Sequence, residues 1–313
     1  MSSIMTNTSA LTALQSLNAT NKSLEATQSR ISTGYRVSTA SDNAAYWSIA
    51  TTMRSDNKAN SVLQDALGLG AGKVDTAYTA MNSAIDVVDQ IKEKVLLAKT
   101  SSTDDRAKIQ SEIDSLQAQL KDNIGGANYA GSNLLKTSST DASNTSLTIM
   151  TSYNRDSSGK VSTGTIDVTL KNVRLIDSSG TATAGAKTSS LDKQFVVAGS
   201  AKATILDLKV TGTGAASTST AFDNMLTGIE AALKGMATGA AELGAAKARI
   251  DMQKDFVSKL SDSIDRGVGQ LVDADMNKES TRLQALQVQQ QLGIQSLSIA
   301  NSNTQSILSL FRG

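Results

Sequence analysis

The chain contains no cysteine, no histidine and no proline, and only 3% of its 313 residues are aromatic. Without thiol or imidazole there is no disulfide, no thiolate or imidazole zinc site, no thiol nucleophile and no His-based triad, although a carboxylate-only metal site stays open. The scarcity of aromatics argues against a large globular core. Charge is balanced, with 30 basic against 29 acidic residues and a net charge of +1. That balance leaves no electrostatic footprint for nucleic acid or an acidic membrane, and near-neutrality favours self-association. Average usage of about 5% would place on the order of 16 prolines in a chain of this length. Their absence fits long helices, which Pro breaks at a cost of about 3 kcal/mol. It also fits a chain that must refold quickly after being moved unfolded, because each X-Pro bond can add an isomerisation phase of roughly 10 to 100 s.

Charge is missing altogether at the two ends. Residues 1–21 and 283–311 contain no Asp, Glu, Lys or Arg, yet both place Leu and Ile at helical intervals. Near the N-terminus Leu11 opens an apolar run in which Leu17, Leu24 and Ile31 recur every seven residues, with Leu14, Asn21 and Gln28 at the alternate positions of a helix-to-helix seam. Near the C-terminus Leu283, Leu286, Leu297, Ala300, Ile307 and Phe311 form one stripe among glutamines and asparagines, which hydrogen-bond across a packed interface without the desolvation cost of ions. Their polar content excludes transmembrane helices, which need about 18 or more predominantly apolar residues. The first 20 residues lack the basic start of a cleavable secretion signal.

Residues 57–98 carry the clearest periodicity. Leu67, Val74, Met81, Val88, Ile91 and Val95 belong to a seam of unbroken three-and-four spacing, which predicts one long helix. After a polar break at Thr100 to Thr103, Ile109, Ile113, Leu116, Leu120 and Ile124 predict a second helix, ended by Gly125 and Gly126. Between about Lys136 and Thr220 the composition turns to Ser, Thr, Gly and Asp. Short runs around Ile166 to Leu170, Phe195 to Val197 and Leu206 to Val210 read as strands, with turns at Asp156 to Gly159 and Asp177 to Gly180. Helical spacing resumes at Phe222 and continues through Leu271. The fold expected is mainly α: long antiparallel, coiled-coil-like helices from both termini, with a small β-rich middle insertion.

No catalytic constellation stands out. Paired carboxylates such as Asp104 with Asp105 or Asp273 with Asp275 are the only acid/base candidates, and they read better as charged helix turns or solvated faces. Gly68, Gly70 and Gly72 sit inside a helical seam with no preceding strand, so they are no phosphate loop. Asn144-Thr145-Ser146 matches a glycosylation acceptor, a triplet frequent by chance in so Ser/Thr-rich a chain. Ordering about 40 terminal residues costs roughly 40 to 80 kcal/mol of backbone entropy, against about 1.5 to 3 kcal/mol for each fully buried Leu or Ile. The terminal helices are therefore expected to order only when neighbouring copies bury both of their faces.

Several ordered motifs carry a family likeness. Arg30-Ile31-Ser32-Thr33-Gly34-Tyr35-Arg36-Val37, then Ala40-Ser41-Asp42-Asn43-Ala44-Ala45, resembles the N-terminal signature of bacterial flagellins. Leu243-Gly244-Ala245 with Arg249-Ile250, then Val272-Asp273-Ala274-Asp275-Met276, resembles their C-terminal signature, and Ile307 to Arg312 their closing residues. The resemblance covers about residues 1–135 and 225–313. It implies a filament subunit of the bacterial flagellum, exported unfolded through the flagellar type III apparatus and assembled at the distal tip. It further implies inner-tube terminal helices at residues 1–45 with 270–313, outer-tube helices at 46–136 with 221–269, and a surface-exposed variable region at 137–220. Implied partners are further copies of the chain, sister flagellins, an export chaperone, and cap and hook-junction proteins. Nucleic acid, membrane insertion, cofactors and enzymatic activity are not expected.

Two departures from the family pattern stand out. In the helix gripped by animal Toll-like receptor 5, this chain keeps Glu93 but has Gln90 for an Arg and Lys94 for a Leu, losing a bidentate donor and an apolar contact. Where plant receptors read Lys-Asp-Asp-Ala-Ala-Gly, it has Ser41-Asp42-Asn43-Ala44-Ala45-Tyr46, followed by Trp47; such substitutions resemble flagellins of plant-associated alphaproteobacteria. Competing readings are a hook-filament junction protein with similar termini, an intracellular coiled-coil scaffold, and a carbohydrate-binding or enzymatic surface protein whose activity resides in residues 137–220.

Overall fold

The computed structural model describes residues 7–139, 145–156, 158–179, 189–199, 201–211 and 218–310, with side chains of 303–310 outside the description. Asn144, Gly180 and Phe311, and the side chain of Ile307, therefore lie outside the described residues. The chain divides into two compact units, Met1–Lys58 with Ser261–Gly313, and Ala59–Leu260.

Helix α1 spans Thr8–Thr33, α2 Ala44–Thr100, α3 Thr103–Gly126, α5 Ser219–Val272 and α6 Met276–Leu310, with a four-residue helix α4 at Leu170–Val173. The strands are β1 (Lys136–Thr137), β2 (Ser146–Arg155), β3 (Val161–Thr169), β4 (Ile176–Asp177), β5 (Phe195–Ala198) and β6 (Ala201–Ala203). Among the described residues three separate pairs form: β1 with β4 parallel, β2 with β3 antiparallel and bulged between Met150 and Ser152, and β5 with β6 antiparallel.

In the unit of residues 59–260, α2 runs antiparallel to both α3 and α5. Lys99 pairs with Asp223 at 2.5 Å, Lys92 with Glu230 and Lys247 with Asp75, while Lys94 reaches Glu112 on α3 at 2.6 Å. The seam of α2 (Leu67, Val74, Met81, Val88, Ile91 and Val95) is fully buried, as are Ile113 and Leu120 of α3; Ile109 is nearly so and Leu116 packs partly exposed at the edge. Helix α3 starts where Ser102 Oγ accepts the Asp105 N–H at 3.3 Å, with Asp104 and Asp105 filling the electropositive first turn. The apolar residues of the middle region, among them Ile149, Val168, Leu175, Leu191 and Leu208, join the same core as the long helices. Gly70 and Gly228 permit this close approach: a Cβ would stand 2.8 Å from Ile149 at the first and 2.5 Å from Phe195 at the second.

The long helix begins at Ala44 rather than near residue 57, because Asn43 Oδ1 accepts the Tyr46 N–H at 3.1 Å and caps it. Strand β3 stops at Thr169, and Leu170 opens the short α4. The strand expected at Leu206 to Val210 does not form. Ile205–Asp207 is a 3-10 turn, and its backbone groups are satisfied by glutamines of α3 instead of a neighbouring strand. Gln117 Nε2 donates to Ile205 O at 3.0 Å and Leu208 O at 3.2 Å, while Gln110 Oε1 accepts the Val210 N–H at 2.6 Å. Both glutamines are buried, so each bond excludes a competing water.

Candidate functional site

The unit of residues 1–58 with 261–313 holds the charge-free ends. Helices α1 and α6 pack antiparallel: Asn7 Nδ2 donates to Ala300 O at 2.9 Å, Gln290 Nε2 to Asn21 Oδ1 at 2.8 Å, and Arg30 approaches Glu279 at 3.5 Å. Leu17 lies against Gly293, where a Cβ would come within 3.1 Å of its Cδ1. Leu286 is buried, and Leu17, Leu24, Ile31, Leu283, Leu297 and Ala300 are half-buried along this contact. Leu11 and Leu14 face away and stay 58% and 44% exposed.

The fully enclosed positions of α1 are not leucines but Thr20 and Thr27. Thr20 Oγ1 donates to Ser16 O at 3.0 Å, so its hydroxyl is satisfied inside the helix and its methyl is free to pack. A search for apolar residues passes over these positions, although their seven-residue spacing is a usable signal. Helix α6 carries a second apolar stripe beside the one expected from its spacing: Val288, Leu292 and Ile299 lie on the side away from α1, exposed together with Ile294. The terminal pair therefore buries one narrow seam and leaves apolar surface outward. Expected to order only in assembly, these segments form helices in the single chain, each using the other as its neighbour.

The signature residues build the elbow between α1 and α2. Gly34 closes α1 at φ +73°, in the left-handed region that L side chains avoid, and its N–H donates to Arg30 O at 2.9 Å. The next residues are stitched to the turn between α5 and α6: Arg36 N–H to Val272 O at 2.7 Å, Val37 N–H to the same oxygen at 3.2 Å, and Ala274 N–H to Gly34 O at 2.8 Å. Arg36 Nη2 adds a bond to Leu271 O at 2.9 Å. Beneath them Val37, Ala50, Val268 and Val272 form a small core. Asp42 Oδ2 accepts the Thr39 N–H at 2.9 Å and the Ser38 N–H at 3.1 Å, and these bonds, with that of the Thr39 hydroxyl, hold its carboxyl below the usual carboxylate range. Asp275 Oδ1 likewise accepts the Asn277 and Lys278 N–H groups at the start of α6, while Asp273 pairs with Tyr35 as an isolated bridge. Each acidic residue thus has a backbone role, and the arrangement brings no acid and base together over a cavity.

The other sequence-selected positions lie apart from this elbow. Gln90 and Glu93 are exposed on α2, and Lys94 is engaged by Glu112. Glu230 raises the pKa of neighbouring Lys92 above its ordinary value through their hydrogen bond. Among the described residues there is no group of three or more potential metal-ligating His, Cys, Asp or Glu side chains, and no helix is long and apolar enough to cross a membrane. The geometry fits polymer-forming surface rather than chemistry: an elbow held by backbone bonds and outward apolar stripes.

Comparison with known proteins bears on the same segments. Residues 4–140 match the family model described as the bacterial flagellin N-terminal helical region, and residues 226–311 match the bacterial flagellin C-terminal helical region. The chain is 55% identical over 316 residues to a flagellin of Brucella melitensis, with 100% of both chains covered. It is 46% identical over 325 residues to flagellin C of Rhizobium meliloti and 43% over 398 residues to flagellin A, again with 100% of each chain covered.

Proposed function

The chain belongs to the bacterial flagellin family, and from that membership we propose how its own residues build the polymer. It is a structural subunit of the extracellular flagellar filament, formed by self-polymerisation, and not an enzyme. Full-length similarity to flagellins from two genera weighs against a hook-junction role.

In the proposed arrangement α1 and α6, residues 1–45 with 270–313, form the inner tube. The outer tube is formed by residues 46–136 with 221–269, and residues 137–220 face outward. The single observation that carries this reading is the coincidence, on the charge-free stretches of α1 up to Asn21 and of α6 from Leu283, of no charge with large exposed apolar side chains: Leu11, Leu14, Val288, Leu292, Ile294 and Ile299. A surface free of charge has no repulsion to hold copies apart, and burying each such side chain between copies contributes up to about 1.5 to 3 kcal/mol. Repeated heterologous contacts that do not close generate an open helix. The seam of α2 and α3, from Leu67 to Leu120, stiffens the outer tube through contacts made within the chain. Gly34, Arg36 and Asp42 set the elbow that orients the terminal pair, with Arg30 tied to Glu279. An export chaperone covers the uncharged ends before assembly, and cap and hook-junction proteins contact the same ends at the filament's limits. Sister flagellins with matching ends co-assemble.

Seeded polymerisation of the purified chain, followed by sedimentation and electron microscopy, tests the reading. Long helical filaments are the expected product; a chain that stays monomeric on seeds of its own fragments refutes it.

A further inference from the structure

The filament reading leaves open which exposed groups of one copy recognise the next, and charge on α2 supplies an answer. Near the start of α2, Trp47, Thr51, Arg54 and Lys58 recur at i, i+4, i+7 and i+11 and so share one helix face. Trp47 is the chain's single tryptophan and is 39% exposed. Arg54 holds its guanidinium 4.8 Å from the Tyr35 ring centre, and no described carboxylate pairs with it or with Lys58. The face is cationic and aromatic, and the elbow beneath it is held by the backbone bonds of residues 34–37, so it is presented in a fixed shape.

A face of opposite sign recurs further along the same helix at identical spacing: Asn82, Asp86, Asp89 and Glu93. The three acids are exposed. The nearby lysines make their ion pairs on other helices, Lys92 with Glu230 on α5 and Lys94 with Glu112 on α3, while the charge of Asp89 still acts on Lys92 at longer range. Exposed like charges at i, i+3 and i+7 destabilise a helix slightly when left alone, so an acidic stripe whose nearby lysines are diverted fits a cationic partner.

We propose that the Trp47, Arg54 and Lys58 face of one copy docks on the Asp86, Asp89 and Glu93 face of a second copy in the filament. Trp, Tyr and Arg are the side chains that most often anchor interfaces, and the equal spacing of the two stripes lets both cations meet acids in one register. The contact is heterologous, joining different surfaces of identical chains, as an open polymer requires. This inference rests on the filament reading and names the groups within it.

Charge reversal tests it. Arg54→Glu with Lys58→Glu, and separately Asp89→Lys with Glu93→Lys, should each raise the critical concentration for seeded elongation at least tenfold, with monomer helicity unchanged. Combining all four changes should restore it to within about threefold of the parent, since opposite charges again face each other. The smaller pair Lys58→Glu and Glu93→Lys leaves the Arg54 contact with Tyr35 untouched and should follow the same pattern, should the larger variants misfold. The emission of Trp47 should move to shorter wavelength as parent monomers enter filaments. Reversed chains that elongate like the parent, a combined variant no better than its halves, or an unmoved Trp47 emission would each overturn the contact while the parent still polymerises. A parent chain that never polymerises instead sinks the filament reading itself.

Discussion

Replacing Leu292 with Asp separates surface kept for assembly from surface needed to fold. Leu292 lies on the side of α6 away from α1 and is 58% exposed in the single chain. Full burial of a leucine side chain contributes about 1.5 to 3 kcal/mol, so covering the remaining area contributes roughly 1 to 2 kcal/mol per copy. An uncompensated carboxylate at the same place costs about 3 kcal/mol or more. The two effects together weaken each addition by roughly 4 kcal/mol, and at about 1.4 kcal/mol per tenfold the critical concentration rises on the order of a thousandfold. The isolated chain should hardly respond, because an exposed substitution usually stays within about 0.5 kcal/mol. Sedimentation after seeding reads the first quantity and thermal unfolding followed by circular dichroism the second. Assembly at the parent's critical concentration would place Leu292 in solvent within the filament and refute the reasoning. Leu24→Asp and Leu297→Asp should also block filaments, but as half-buried members of the α1–α6 contact they should loosen that pair as well.

Gln117→Leu strands the carbonyl of Ile205 beside α3, while that of Leu208 keeps Gln110 Nε2 at 3.3 Å, and at about 1 to 3 kcal/mol for a buried acceptor left unpaired it should lower the melting temperature by several degrees; an unchanged melt would show that the segment finds another donor. The Asp42 carboxyl is depressed in the folded chain, so its contribution to stability is full above the unfolded value of about 3.9 and is lost as pH falls through the folded value. Asp42→Asn should therefore flatten the acid limb of an unfolding curve, and parallel curves for the two chains would rule out this role. For Toll-like receptor 5, truncating one interface anchor commonly costs about 2 kcal/mol, so Gln90 and Lys94 together should weaken detection by on the order of a thousandfold. Gln90→Arg with Lys94→Leu should recover part of a reporter response, which the parent's strong activity would contradict.

The long helices were legible because helical spacing is a local property: Leu67 to Val95 describe one stripe whatever packs against it, and Gly125 and Gly126 mark the end of α3 through their lack of a side chain. The uncharged termini likewise pointed to surfaces meant for other chains, since no folded arrangement adds charge to residues 1–21. Tertiary structure alone decided the rest. Leu206 to Val210 alternates like a strand, yet a strand needs a partner's backbone, and here Gln110 and Gln117 supply those bonds from a helix. The elbow is joined through the amides of Arg36, Val37 and Ala274, which every residue type but proline carries and no side-chain pattern reveals. Thr20 and Thr27 occupy the inside of α1 because a helix pair selects a face by close approach, which these small side chains allow and leucine spacing does not report. Which lysines of α2 remain available to another copy was settled by the reach of Glu230 and Glu112 from two other helices, a fact of three-dimensional neighbourhood that the order of residues along α2 does not contain.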